Sequence, residues 1–160
     1  MIVWFAAAAV VFVWAVFQSP AVDYRLVALG AVLPSVEGVL FGARVLHTLA
    51  FSAVLLVVVL VATRGRRLAG RRWVALPIGT ALHLVLDGAW TRTELFWWPA
   101  MGWSFDGERA PEVSRGVWSV VLEAVGVAVA VWAWRTFGLA DPDRRRRFVR
   151  TGRLDRSVVP

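Results

Sequence analysis

The sequence predicts an all-α fold: a polytopic bundle of transmembrane helices with about five membrane segments. Three observations predict it, namely an apolar excess, long runs without charge, and an uneven distribution of arginine. The 160 residues are 59% hydrophobic and include ten tryptophans, and the mean hydropathy is +0.64. Soluble domains run about 45–50% apolar. All eighteen basic residues are arginine and cysteine is absent, which excludes disulfides, thiolate nucleophiles and cysteine-ligated zinc.

Residues 1–17 (MIVWFAAAAVVFVWAVF) carry no charged side chain and are long enough to reach across a bilayer. They lack a basic amino-terminal region, and "FQSPAVD" is a poor cleavage site, so they read as a retained span. Residues 24–43 form a weaker segment that carries Glu37 and is expected to be broken or re-entrant at Gly30, Pro34, Gly38 and Gly42. Residues 45–63 are the strongest span, 73–90 a fourth and 117–137 a fifth. Residues 1–138 thus read as the helical domain and 139–160 as a basic tail.

Arginine sets the orientation. The loop 64–72 holds Arg64, Arg66, Arg67, Arg71 and Arg72 with no acid, and the tail is arginine-rich from Arg144 onward. The loop 91–116 instead sets Glu94, Asp106, Glu108 and Glu112 against Arg92, Arg109 and Arg115. The positive-inside rule puts the first two in the cytoplasm and the third outside. The carboxyl end is therefore expected inside; five spans put Met1 outside, and a re-entrant 24–43 would put it inside. Trp97, Trp98 and Trp103 read as an interfacial belt or as a lid over a site. The arginine-rich loop and tail suit anionic lipid headgroups, and no nucleic-acid partner is expected.

Within this frame His47, His83, Asp87, Glu37 and Glu123 fall at one depth near the outer face. A charged residue at mid-bilayer costs at least about 2.5–3.5 kcal/mol, so such groups should turn inward and meet each other or a cation. His83 and Asp87, four apart on a helix, share one face. Imidazole and carboxylate together suit a divalent metal, zinc or manganese. Glu37, His47, His83 and Asp87 are the candidate ligands, and Asp87 or Glu123 the candidate general base. Ligand atoms of His47, His83 and Asp87 should then converge within about 5 Å. Interhelical hydrogen bonding is the structural alternative for His47 and His83, contact with water for Asp87 near the boundary, and a packing role for Glu123.

The stretches "LPSVE" (33–37), "RVLHTLAFS" (44–52), "HLVLDGAW" (83–90) and "LFWWP" (95–99) occur in that order. The chain thereby resembles the bacterial inner-membrane metal-dependent hydrolases, also described as LexA-binding, inner-membrane-associated hydrolases. That family reads approximately LLPDIDH, HRGxTHS, SHxxxD and LLWP over the region matching 26–105. The resemblance implies roles for Glu37 at the second acid of LPDID, His47 at the histidine of THS, and His83 with Asp87 at the HxxxD pair. Thr48 stands for the serine after the histidine. Ser35, Gly38 and Gly42 replace family acid and histidine positions, leaving ligands for one metal rather than two.

Two functions follow as expectations. The first is a multi-pass hydrolase of the bacterial cytoplasmic membrane, acting near the outer face on a lipid-like or phosphate-bearing substrate that Arg44 or Arg92 would steady. The second is a non-catalytic membrane protein of the same fold, in which the polar residues are structural. No P-loop, HExxH, GxSxG or GxGxxG motif offers another chemistry.

Overall fold

The computed structural model describes residues 1–19, 21–105 and 115–154, and these are helical without any strand. Asp106, Glu108, Arg109 and Glu112 of the acidic loop, and the tail beyond Leu154, lie outside them. The helices are α1 (Ile2–Phe17), α2 (Tyr24–Phe41), α3 (Leu49–Ala62), α4 (Arg67–Trp73), α5 (Ala75–Leu86), α6 (Thr93–Phe96), α7 (Val117–Thr136) and α8 (Pro142–Thr151). Two short 3-10 turns, Val45–His47 and Ala89–Thr91, precede α3 and follow α5.

Local chemistry sets the ends. The Asp23 carboxylate accepts the Arg25 N–H at 3.2 Å and opens α2, and the Thr48 hydroxyl accepts the Phe51 N–H at 3.0 Å and opens α3. Both are N-caps that satisfy an otherwise orphaned donor. The break expected in residues 24–43 does not occur: α2 runs unbroken with Pro34 inside it. Proline withholds one N–H from the ladder, and burial against neighbouring helices keeps the turn together.

Two helices, α2 and α7, are long and apolar enough to cross a membrane. The others fall short of the expected spans. Residues 45–47 are a separate turn, and α5 has 12 residues, about 18 Å at helical rise. Its neighbours α1 and α3 have 16 and 14 residues, against the roughly 20 that a 30 Å hydrocarbon layer asks for.

At the centre α5 packs on α2, α2 on α1, and α1 also touches α5, while α3 lies against α5 and α7 against α1. Phe5, Ala9 and Val13, spaced four apart, face Tyr24, Val27, Ala31 and Ala75 in the core. The α2–α5 crossing is close because both helices present glycine there. A Cβ on Gly30 would stand 2.2 Å from the Leu76 carbonyl oxygen, and one on Gly79 2.3 Å from that of Val27. By contrast α7 buries only Gly126 and exposes Val117, Trp118, Val120, Val131 and Trp132.

One end of the molecule is knotted around Asp23, which is 2% exposed. Its carboxylate receives Arg25 at 2.7 Å and Arg72 at 3.0 Å. The Tyr24 N–H donates to the Gly152 carbonyl at 2.9 Å, and Arg25 also donates to the Val149 carbonyl. The described part of the basic tail therefore returns to α2, and Phe148 and Leu154 pack on the core.

Candidate metal centre

The opposite ends of α2, α3 and α5 bring the two histidines together. His47 ends the turn before α3 and His83 lies in the last turn of α5, and both are fully buried. Their rings stand 5.3 Å apart at 80°. The Thr48 hydroxyl holds the His47 turn by donating to the Val45 carbonyl at 2.8 Å while capping α3. Asp87, the C-cap of α5, is 1% exposed. One ligand atom from each of His47, His83 and Asp87 lies within 4.8 Å of the other two. The convergence expected of this trio is met.

Neighbouring acceptors fix the orientation of each ring. Nδ1 of His47 lies 3.2 Å from Oε2 of Glu37, and Nδ1 of His83 lies 2.8 Å from the Ala31 carbonyl oxygen. A carboxylate or carbonyl accepts only, so the proton sits on Nδ1 in both rings. In its neutral form, an imidazole held this way keeps its lone pair on Nε2. Nε2 of His47 is buried and has no hydrogen-bond partner among the described residues. An unsatisfied buried nitrogen costs about 1–3 kcal/mol, and a cation at this point would remove that cost. The Phe5 ring covers His83 at 4.1 Å between centroids.

The carboxylate of Asp87 has a partner that sequence reading missed. Arg115 donates to its Oδ1 at 3.0 Å and also to its backbone carbonyl. The available signal was position, since Arg115 stands two residues before α7 on the acidic-loop side. Ala31 was also missed. Its peptide carbonyl gives no side-chain signal, though Pro34 three residues on marks a turn with a weakened ladder.

The remaining candidates stand elsewhere. Glu37, expected as a ligand, instead supports His47, and its Oε2 also accepts the N–H groups of Arg44 and Leu46 at 3.2 and 3.0 Å. Glu123, expected as a possible base, accepts the Val3 and Trp4 N–H groups at 3.1 and 3.2 Å and so caps α1 from α7. The Arg44 guanidinium donates to the Phe41 carbonyl at 3.1 Å. Arg92 lines a cavity of about 320 Å³ with Thr91, Thr93, Glu94 and Ser104. Neither arginine belongs to the buried trio.

Comparison with protein-family models, with curated proteins and with solved structures finds no match to this chain. The residues themselves fit a metal. Two buried imidazoles with lone pairs on Nε2 and one carboxylate are a donor set that zinc and manganese accept.

Proposed function

We propose that the chain is a multi-pass protein of the bacterial cytoplasmic membrane whose His47, His83 and Asp87 hold one divalent cation, zinc or manganese, for hydrolysis near the outer face. The observation that carries this reading is the convergence of three buried ligand atoms within 4.8 Å. Three protein ligands with a position left for water are the pattern of catalytic zinc sites, whereas structural sites close the fourth position. The bound cation would supply Lewis-acid polarisation and activation of water. Around it, Glu37 and the Ala31 carbonyl hold the two rings, and Arg115 holds Asp87. The ordered motif resemblance, with its departures at Ser35, Gly38 and Gly42, agrees with one metal, and a site near the outer headgroups suits a lipid-like or phosphate-bearing substrate.

The membrane part of the reading is supported by the apolar outer faces of α3 and α7 and by the close glycine crossing, a packing mode common where lipid removes the hydrophobic drive. The positive-inside rule agrees too, because the 64–72 loop and the tail meet at Asp23. That end would be cytoplasmic and the histidine end outside. With α1, α3 and α5 short, five spans would call for local thinning of the bilayer.

A second reading has its own observation. Arg115 already balances the buried Asp87 charge, so the cluster could brace a non-catalytic bundle without metal. Elemental analysis of detergent-purified protein separates the two. About one zinc or manganese per chain, lost in His83→Ala, supports the metal site, and a folded protein free of metal after reconstitution with both ions supports the bracing reading. Turnover is then read by screening the metal-loaded protein against phospholipid and lipid-phosphate substrates.

A further inference from the structure

A second feature lies at the other end of α5. Ala75 and His83 are eight residues apart, about 12 Å along the helix axis. Here the end of α3, the short α4, the start of α5 and Ala21 and Val22 of the α1–α2 connection line a groove of about 730 Å³. Val22, Leu60, Val74 and Ile78 give it apolar walls, and Arg67 and Arg71 of α4 line it as well. The two arginines lie four apart, on one face of their helix.

Arg67 and Arg71 differ from their neighbour. Arg72 is bound to Asp23 at 3.0 Å, whereas no carboxylate pairs with Arg67 or Arg71 among the described residues. Two uncompensated guanidinium groups beside an apolar groove match the two ends of a phospholipid. Guanidinium suits a phosphodiester through paired N–H donors, and apolar walls suit the first methylenes of an acyl chain. A free phosphate would leave the walls uncovered. A zwitterionic lipid would bring a positive charge of its own toward the two arginines.

We propose that this groove is a selective site for an anionic phospholipid of the leaflet at the arginine-rich end. It is separate from the histidine centre and rests on the membrane reading above. Basic pockets between membrane helices on the cytoplasmic side are known to take such headgroups.

The test reconstitutes the full chain into vesicles of equal phosphatidylglycerol and phosphatidylcholine and counts retained lipids by native mass spectrometry. Wild type should keep one phosphatidylglycerol in preference to phosphatidylcholine by roughly tenfold, given the attraction of two arginines. Arg67→Gln with Arg71→Gln should bring that ratio close to one. Arg64→Gln with Arg66→Gln removes the same charge outside the groove and should leave the preference intact. Ala21→Trp should fill the groove and release the lipid, with unchanged melting temperature reporting that the chain still folds. A wild type without preference, or an equal loss in the Arg64/Arg66 pair, overturns the site. Either result would leave the membrane reading standing, whereas recovery of the chain from the soluble fraction would remove both. Metal content of the same samples reports separately on the histidine centre.

Discussion

Glu37 lies beside the candidate centre and outside the converging trio of His47, His83 and Asp87. Its carboxylate accepts from the Arg44 and Leu46 backbone and from Nδ1 of His47, so one side chain fixes the connection between α2 and α3 and the ring that ends it. Partners of this kind change metal affinity by about 10–100-fold when removed. Glu37→Ala should weaken zinc binding by that factor in a competition titration, and Glu37→Gln, whose amide oxygen still accepts, should lose less. Equal affinity in all three forms would sever Glu37 from the site. Glu123 should behave differently. Glu123→Ala strips the cap from α1 and is expected to cost about 0.5–2 kcal/mol in denaturant unfolding, with metal content unchanged. At this scale the sequence exposes His47, His83 and Asp87, because ionisable groups in apolar runs must be compensated. It marks a weakened turn near Pro34 but does not single out the Ala31 carbonyl, because any peptide group of that turn could have filled the role.

Among the elements, α2 and α5 form the frame on which the centre depends. α2 supplies Glu37 and Ala31, and α5 supplies His83 and Asp87. Their approach relies on Gly30 and Gly79, where an added Cβ would meet backbone that cannot rotate away. Gly30→Ala is therefore expected to destabilise by about 1–3 kcal/mol or more, and on the proposed metal reading to lower metal content because it pushes apart the helices that carry Glu37, Ala31, His83 and Asp87. Thermal unfolding in detergent and metal analysis on the same sample check both. An undisturbed melting temperature would mean the helices are not as close as described. Hydrophobic runs announced each helix, yet their lengths were not legible. The Thr48 cap and the αL glycine at 88 trim α3 and α5 within longer apolar stretches. Glycine and proline in α2 suggested a break that packing against α1 and α5 prevents.

For the whole molecule, the Asp23 junction ties the amino end of α2 to α4 and to the tail. Burial alone would raise this carboxyl, but hydrogen bonds and charge from Arg25, with a further bond from Arg72, hold it below its usual value of 3.8. A depressed carboxyl contributes stability that is full above the unfolded value and is lost as pH falls through the lower folded one. The tail should thus stay docked above about pH 4 and release only in stronger acid, while Asp23→Asn should loosen it at neutral pH. Limited proteolysis within 139–154 reads both. Orientation can be tested on a background without native cysteine. Trp103→Cys should react with an impermeant maleimide in intact cells, and Arg150→Cys only after lysis; the reverse would invert the topology. Sequence alone determined the helical class, the apolar character and the segregation of arginine from histidine, since these follow from side-chain transfer between water and an apolar medium. Only the tertiary structure decided which carboxylate meets which partner. Glu37 turned to His47, Glu123 to the α1 terminus and Asp87 to Arg115, because these pairings depend on helix crossings and lengths that no single segment encodes.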